Sequence, residues 1–415
     1  MCVAGSGRLM KNVPFGPASK ECGTVASNRC SSFIILSVAK ISVKLDHDRY
    51  DVLIAAGLLK SVGKELRKRL PSPQSQVFVV TSPNVRRHWG RALEQSLKRE
   101  KLRFQVLEMN DGEPAKRLET VEKLAEQMVR AGADRKSLLA AFGGGVVGDS
   151  AGFLAAIFLR GIPFVQIPTT VVAQLDASIG GKTGVNLQAG KNLVGAFHQP
   201  RAVLVDPTML ETLDEREFRA GLFEALKCGV IRDKKLFEFM VREQKKILAR
   251  DAQAVERVII DSVRVKADVV SADERESGLR RILNFGHTVG HALEAATGYT
   301  RLLHGEAVGL GMAAATAIAR DAEFCPPKIA EQITAAIDSY GCPPPVKVRP
   351  DAVASHLKSD KKAVAGQVHW VLPQSLGAVT ITSDVPERVV RHAIEGVTSD
   401  SKSNSKSNSK KVRHS

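Results

Sequence analysis

Between residues 40 and 216 the sequence alternates short apolar segments with stretches of helical periodicity. Residues 120–131 carry apolar side chains at helical spacing. The strand candidates around them are residues 41–45, 77–80, 104–107, 138–142 and 164–167. Strands separated by helices need crossover connections, so this half of the chain is predicted to form a mostly parallel sheet.

From about residue 217 the pattern changes to long segments of helical periodicity with few strand candidates: 218–230, 235–248, 252–271, 288–296 and 306–322. The predicted fold class is therefore α/β followed by a mainly helical part. We predict four regions, namely a disordered leader (1–39), an α/β domain (40–216), a helical domain (217–398) and a disordered basic tail (399–415).

The chain is basic, with 60 Lys and Arg against 44 Asp and Glu and a net charge of +16. The tail contributes five cations against Asp400 alone, and its polar repeat buries too little apolar surface to order. The body has no comparable basic block, and only 5% of its residues are aromatic. Nucleic-acid binding is therefore not expected.

The apolar stretches are too short to cross a bilayer, so no membrane association is expected. Six cysteines form neither a CxxC pair nor a regular framework, which indicates a reducing compartment. Residues 1–39 lack the apolar core of a secretory signal but are acid-poor and rich in serine. We expect a cytoplasmic protein, with a plastid transit peptide as the alternative.

A glycine pattern follows the strand candidate at 138–142. Gly143, Gly145 and Gly148 fit G-x-G-x-x-G, and Asp149 comes next. Such a turn lets backbone N–H groups approach a pyrophosphate, but a glycine-rich turn between strand and helix is also common without any ligand. The residues alone leave both interpretations open.

Histidines and a glutamate in the second half form a candidate metal set. His287 and His291 are four residues apart, so a helix places them on one face, and His304 and Glu224 add further donors. Two histidines with one glutamate are a catalytic zinc set, although scattered His and Glu are common and the H-E-x-x-H pattern is absent. Several lysines and arginines also lie among glycines and small residues, which indicates an anionic substrate.

Seven segments together resemble the 3-dehydroquinate synthase family of sugar phosphate cyclases: GGGVVGDSAGF (143–153), FLRGIPFVQIPTT (158–170), AQLDASIGGKTGVNLQAGKNLVGAFHQP (173–200), GLFEALKCG (221–229), LNFGHTVGHALE (283–294), LLHGEAVGLGM (302–312) and SDKKA (359–363). The resemblance implies a Rossmann-like NAD-binding domain, a helical metal and substrate domain, an active site in the cleft between them, and a homodimer. It also implies NAD and Zn²⁺, with Co²⁺ as a possible substitute.

The implied substrate is 3-deoxy-D-arabino-heptulosonate 7-phosphate, and the implied products are 3-dehydroquinate and phosphate. The implied reaction, part of the shikimate pathway to aromatic amino acids, comprises transient oxidation by NAD, β-elimination of phosphate, reduction and intramolecular aldol closure. This makes the expected enzyme a carbon–oxygen lyase.

By the same resemblance, each site residue is carried over from a matching motif position. The implied metal ligands are Glu224, His287 and His304. The implied substrate-binding and catalytic residues are His291, Lys182, Asn192, Asp176, Lys227, Lys266, Arg280, Asn284, Lys361 and, across a dimer interface, Arg160. The implied NAD contacts are Asn84, Asp111, Gly112, Glu113, Pro114, Ala115, Lys116, Gly145, Val146, Val147, Gly148, Asp149, Thr169, Thr170, Lys182, Lys191, Met209, Leu210, Glu211 and Thr212.

Three alternatives remain. A sister cyclase, such as a deoxy-inosose or valiolone synthase, takes a substrate without a carboxylate, whereas Lys266, Arg280 and Asn284 suit a carboxylate pocket. A polyol dehydrogenase of the same superfamily would release NADH, and the block around Lys182 and Asn192 argues against it. A catalytically silent protein acting through its tail would lose function when residues 399–415 are deleted.

Overall fold

The computed structural model describes residues 38–363 and 368–399, without the side chains of 358–363. The predictions for residues 1–37 and 400–415 lie outside this part, and so does the side chain of Lys361. Among the described residues, no helix is long and apolar enough to cross a membrane.

The strands of the described residues make one large sheet and two hairpins. The strands are β1 (Ala39–Lys44), β2 (Arg49–Ile54), β3 (Val77–Thr81), β4 (Phe104–Glu108), β5 (Leu138–Gly143), β6 (Phe164–Pro168), β7 (Lys182–Leu187), β8 (Gly190–Phe197), β9 (Ala202–Val205), β10 (Trp370–Ser375) and β11 (Ala378–Thr382). The seven-stranded sheet has the order β1-β2-β9-β6-β5-β3-β4, in which only β1 runs antiparallel to its neighbour.

The helices cover both faces of this sheet and then form most of the second half. They are α1 (Val62–Arg67), α2 (Pro83–Val85), α3 (Arg91–Arg99), α4 (Leu118–Arg130), α5 (Gly145–Ile157), α6 (Glu215–Ile231), α7 (Lys234–Arg242), α8 (Gln244–Leu248), α9 (Ala252–Ala272), α10 (His287–Ala296), α11 (His304–Asp321), α12 (Pro327–Ser339), α13 (Pro350–Ala363) and α14 (Glu387–Val397).

The order of the central parallel strands decides where a ligand can bind. Along the sheet, β4, β3, β5, β6 and β9 follow one another, which is the doubly wound order 2-1-3-4-5 in chain terms. In this order the crossovers change face between β3 and β5, and a crevice opens at the carboxyl ends of those strands. The fold therefore places a binding cleft beside the residues that follow Thr81 and Gly143.

The helical part is held together by close helix crossings. Helix α6 packs against α9 and α11, and α11 also packs against α10. Glycines permit these approaches, because a Cβ at Gly305 would lie 1.9 Å from the carbonyl oxygen of Ala220, and one at Gly311 would lie 1.8 Å from that of Gly286. The crossings bring the starts of α10 and α11 against the middle of α6.

The predicted fold class is confirmed: a Rossmann-like parallel sheet is followed by a mainly helical part. The predicted strands correspond to β1, β3, β4, β5 and β6. The continuous helix expected over 235–248 is wrong, because Glu243 separates α7 from α8. The sequence analysis also missed β2, β9 and the hairpins β7–β8 and β10–β11. The domain division at residue 216 stays a prediction.

Candidate active site

A cleft of 1640 Å³ opens at the carboxyl edge of the parallel sheet. The residues that follow five parallel strands reach it, so the sheet topology alone gathers segments that are far apart in sequence. These lining residues are Ser82 and Asn84 after β3, Asp111 after β4, Gly144 and Gly145 after β5, Thr169 and Thr170 after β6, and Met209 and Thr212 after β9. The opposite wall comes from the helical part and includes His291, Glu294 and His304.

The N-terminus of α5 faces this cleft and suits a dinucleotide. Gly144 precedes the helix, and no side chain of the described residues caps its first N–H groups. The glycines here permit tight packing, since a Cβ at Gly143 would lie 2.7 Å from Val147 and one at Gly148 would lie 2.9 Å from Gln166. Exposed N–H groups at a helix N-terminus bind phosphate groups, so the cleft fits the pyrophosphate of NAD.

A buried lysine stands beside that helix. Lys116 Nζ lies 2.5 Å from Asp149 Oδ2 and 2.5 Å from Asn192 Oδ1, so it joins the segment after β4 to α5 and the β8 hairpin. Burial raises the pKa of the Asp149 carboxyl against the opposing charge of Lys116. Asn192 is held further by its N–H, which donates to Asn186 Oδ1 at 2.8 Å.

Glu224, His287 and His304 meet where α6, α10 and α11 cross. The Nε2 atoms of His287 and His304 lie 3.5 Å and 3.4 Å from Glu224 Oε1. Ligand bonds of about 2.1 Å in a tetrahedral zinc site separate the ligand atoms by about 3.4 Å. Both distances to Glu224 match this spacing, and all three donor atoms lie within 4.8 Å of one another, so the set fits Zn²⁺ or Co²⁺.

The burial of Glu224 supports the same conclusion. Its side chain is fully buried, and although Lys227 Nζ contacts Oε2, neither carboxylate oxygen accepts a well-directed hydrogen bond within the described part of the chain. Burial opposes the charge of Glu224, but Lys227 and the two histidines hold the pKa of its carboxyl well below the usual range. Burial also lowers the pKa of His287, which favours the neutral ring that binds metals.

A second group of charges lies near Glu224 and Lys227 and interacts with both. Lys266 Nζ lies 2.6 Å from Asp176 Oδ1, and burial of Asp176 is outweighed by Lys266 and Lys227, so its pKa falls to about 2. Arg280 is fully buried and donates to the carbonyl oxygens of Gly180 and Glu274. Among the described residues, its Nε finds no acceptor and no carboxylate forms an ion pair with it.

Glu276 holds two further expected site residues, Lys182 and Asn284. Its carboxylate contacts Lys182 Nζ through one oxygen and accepts a 2.8 Å hydrogen bond from Asn284 Nδ2 through the other. Glu276, Asn284, His287 and His291 line a neighbouring cavity of 400 Å³. Lys182 and Asn284, which lie 102 residues apart, are thus held by one side chain.

The comparisons with known proteins agree with this geometry. Residues 106–220 match the family described as 3-dehydroquinate synthase N-terminal, and residues 221–363 match the one described as 3-dehydroquinate synthase C-terminal. The 3-dehydroquinate synthase of Koribacter versatilis is 51% identical over 356 residues, which cover 86% of this chain and 97% of that protein. The chain belongs to the 3-dehydroquinate synthase family.

Solved structures of other sugar phosphate cyclases share the fold. The 2-epi-5-epi-valiolone synthase from Streptomyces hygroscopicus subsp. jinggangensis, with NAD⁺ and Zn²⁺ bound, is 30% identical with a TM-score of 0.78, and the match covers 84% of this chain and 97% of that one. A 2-deoxy-scyllo-inosose synthase complexed with carbaglucose-6-phosphate, NAD⁺ and Co²⁺ is 26% identical with the same TM-score, and the match covers 86% and 99%.

Most residues expected from the family motifs lie in one region of the structure. The cleft lining includes Asn84, Asp111, Gly112, Glu113, Pro114, Lys116, Gly145, Val146, Val147, Asp149, Thr169, Thr170, Asp176, Lys191, Asn192, Met209, Thr212, His291 and His304. Lys227 contacts Glu224, and Lys266 contacts Asp176, so both join this group. Asn284 and His287 line the neighbouring cavity of 400 Å³ instead. The structure does not place Lys182, Arg280, Ala115, Gly148, Leu210, Glu211 or Arg160 in the lining of either cavity. The individual roles of these residues stay predictions.

The sequence analysis missed Glu294 and Glu276. Glu294 is 3% exposed on α10, and it accepts a 2.9 Å hydrogen bond from Lys191 Nζ. Burial opposes its charge, but His304 and Lys191 lower the pKa of its carboxyl to about 2. A sequence signal existed, because Glu294 follows His291 by three residues and His287 by seven, which places all three on one helix face.

Proposed function

We propose that this chain is a 3-dehydroquinate synthase, which converts 3-deoxy-D-arabino-heptulosonate 7-phosphate into 3-dehydroquinate and inorganic phosphate. The observation that carries the proposal is the buried, zinc-spaced set of Glu224, His287 and His304 beside a dinucleotide-sized cleft. Loss of phosphate breaks a carbon–oxygen bond, so the enzyme is a lyase in reaction class.

NAD and the divalent metal supply hydride transfer and acidification of a substrate hydroxyl when they are bound. Glu224, His287 and His304 hold the metal, and Lys227 compensates the charge of Glu224. The α5 N-terminus and the segments after β3, β4, β6 and β9 hold the dinucleotide. His291 faces the reacting part of the substrate from the helical wall of the cleft.

The anionic groups of the substrate meet two groups of cations. Lys266, Arg280 and Asn284 bind its carboxylate, and the planar guanidinium of Arg280 suits two parallel hydrogen bonds. Arg280 contributes most to this assignment, because the Nε of its buried guanidinium has no acceptor and the guanidinium forms no ion pair among the side chains that the structure describes. Lys182 and Asn192 bind the phosphate, together with Arg160 across the dimer interface. Lys361, or its neighbour in the SDKKA segment, contacts another polar group of the substrate.

The sister cyclases are the competing assignment. A buried Arg280 beside Lys266 suits a substrate that carries a carboxylate, which separates 3-deoxy-D-arabino-heptulosonate 7-phosphate from sedoheptulose 7-phosphate and glucose 6-phosphate. The identity of 51% to the Koribacter enzyme, against 30% and 26% to the two sister cyclases, supports the same choice.

We also propose a homodimer in the cytoplasm, in which Arg160 completes the site of the partner. Arg160 is exposed and lies outside the cleft of its own chain. Leu159, Arg160 and Gly161 have φ of 48°, 70° and 121°, so the backbone holds this turn in a conformation that the first two rarely adopt. Ile157 and Leu159 are 48% and 41% exposed, and such apolar neighbours favour contact with a second chain.

The decisive experiment measures phosphate release by the purified full chain with NAD and Zn²⁺. Three substrates are compared: 3-deoxy-D-arabino-heptulosonate 7-phosphate, sedoheptulose 7-phosphate and glucose 6-phosphate. We expect release from the heptulosonate alone, without net NADH, and no release by Glu224→Gln. Release from either other sugar phosphate would instead assign a sister cyclase, and net NADH would assign a dehydrogenase.

A further inference from the structure

Glu294 contacts two functional groups that lie on different sides of the cleft. Its Oε1 accepts a 2.9 Å hydrogen bond from Lys191 Nζ, and its Oε2 lies 3.5 Å from His304 Nδ1. The side chain is 3% exposed, so water does not replace either contact. A single buried carboxylate thus connects the β8 hairpin to the start of α11.

The contact with Glu294 is consistent with the orientation of the His304 ring, whose Nε2 faces the metal set. His304 Nε2 lies 3.4 Å from Glu224 Oε1, while Nδ1 points to Glu294. Metal-binding histidines commonly donate the second ring N–H to a carboxylate, which fixes the tautomer and the ring plane. When a metal is bound, a proton on Nδ1 held by Glu294 would leave the Nε2 lone pair of His304 for the ion beside Glu224 and His287.

The contact with Lys191 fixes a side chain that lines the dinucleotide cleft. Lys191 Nζ lies 2.9 Å from Glu294 and 4.6 Å from the centre of the Tyr299 ring, so two groups orient the ammonium. Because the two oxygens of one rigid carboxylate serve Lys191 and His304, a rotation that improves one contact changes the other. The two contacts are therefore mechanically coupled.

We propose that Glu294 is a positioning residue that couples dinucleotide binding to metal binding through Lys191 and His304. The inference rests on the proposed function for the identity of the two bound groups. The donor atoms of His291, Glu294 and His304 also lie within 4.8 Å of one another, so the distances permit these three residues to hold the metal instead. Under the proposal, Glu294 is not a metal ligand.

The test measures Co²⁺ binding to the full chain without substrate, by titration and by the visible spectrum of the bound ion, with and without saturating NAD. In Glu294→Gln we expect Co²⁺ affinity to fall about 10- to 100-fold and the spectrum to change. In the unsubstituted chain, saturating NAD is expected to lower the Kd for Co²⁺ about fivefold or more. The NAD ratio, which is the Kd for Co²⁺ without NAD divided by the Kd with NAD, is expected to fall toward one in Glu294→Gln.

Glu65→Gln is the control, because Glu65 is a mostly buried carboxylate, 14% exposed, that contacts two cationic side chains, Lys68 and Arg69, outside the cleft. It should leave the Co²⁺ affinity, the spectrum and the NAD ratio unchanged. The apo thermal midpoint of Glu294→Gln should stay within a few degrees of the unsubstituted chain.

Three outcomes would overturn the proposal. The first is an unchanged Co²⁺ affinity and an unchanged NAD ratio in Glu294→Gln. The second is a collapse of the apo thermal midpoint of Glu294→Gln together with its Co²⁺ affinity. The third is retention of one tightly bound Co²⁺ by Glu224→Gln, which would make Glu294 a metal ligand. Because no substrate is present, these results are independent of phosphate release. Normal coupling in a chain that releases no phosphate would refute only the proposed function.

Discussion

Replacing Gly305 by alanine is expected to separate two of the proposed metal ligands, Glu224 and His304, without unfolding the chain. Gly305 follows His304 in the first turn of α11, at its crossing with α6. A Cβ there would lie 1.9 Å from the carbonyl oxygen of Ala220, one helical turn before Glu224. Relieving the overlap to 3.0 Å moves the two helices apart by about 1.1 Å, because a backbone carbonyl cannot rotate away.

That displacement is large for a metal site and moderate for a helix crossing. Ligand distances in metal sites vary by about 0.2 Å, so a shift of about 1.1 Å removes His304 from the set it forms with Glu224. Overpacking of this kind costs about 1–3 kcal/mol, which lowers the thermal midpoint by several degrees but leaves a folded protein. We expect Co²⁺ affinity to fall about 100-fold or more, and phosphate release to fall with it.

Gly396→Ala is the control, because Gly396 lies in α14 and no heavy atom stands within 4 Å of its added Cβ. This variant should gain about 0.4–1 kcal/mol of stability and bind Co²⁺ normally. Circular dichroism, apo thermal midpoint and Co²⁺ titration on both variants separate folding from metal binding. Wild-type Co²⁺ affinity and turnover in Gly305→Ala would refute the idea that this crossing sets the metal geometry.

Two further experiments test the proposed anion sites. Lys266→Met should raise the KM for the heptulosonate phosphate about 10- to 150-fold, which corresponds to the loss of one charged hydrogen bond. The exposed control Lys123→Met should leave the KM unchanged. An equal loss of NAD affinity in Lys266→Met would show that Lys266 serves the dinucleotide instead. The Arg160→Ala and Glu224→Gln variants should each be inactive. If Arg160 acts across a dimer, subunit exchange between the two variants should restore about a quarter of the activity of the unsubstituted protein. No recovery in dimers shown to be mixed would place Arg160 elsewhere.

The sequence predicted the central sheet because its parallel strands are buried on both faces. β3 and β5 read as nearly continuous apolar runs, VFVVT and LLAAFG, and all their residues are buried. The β7–β8 hairpin gave no such signal. A Cβ at Gly195 would lie 2.2 Å from the carbonyl oxygen of Thr183, so these strands need glycine for close approach, and glycine is depleted in ordinary strands.

For the metal set, prediction from the sequence is limited by contacts between helices that are far apart along the chain. Spacing alone placed His287 and His291 on one helix face, but it could not relate them to Glu224 and His304, which lie on other helices. Their meeting depends on helix crossings at Gly305 and Gly311, whose partners Ala220 and Gly286 are identified only by the folded chain. The resemblance to the family named these ligands through whole motifs, and the structure then brought their donor atoms together.

The ion pairs around the cleft explain which cation can select an acidic substrate. Five lysines each contact one carboxylate: Lys116 with Asp149, Lys182 with Glu276, Lys191 with Glu294, Lys227 with Glu224, and Lys266 with Asp176. Burying an unpaired charge is costly, so these pairs let the site fold before any substrate arrives. A substrate anion must compete with a protein carboxylate for every one of these lysines. Arg280 forms no ion pair with a described side chain, and Glu276 and Asp176 act on its charge only through space, so discrimination in favour of a carboxylate-bearing sugar should depend more on Arg280 than on any single lysine.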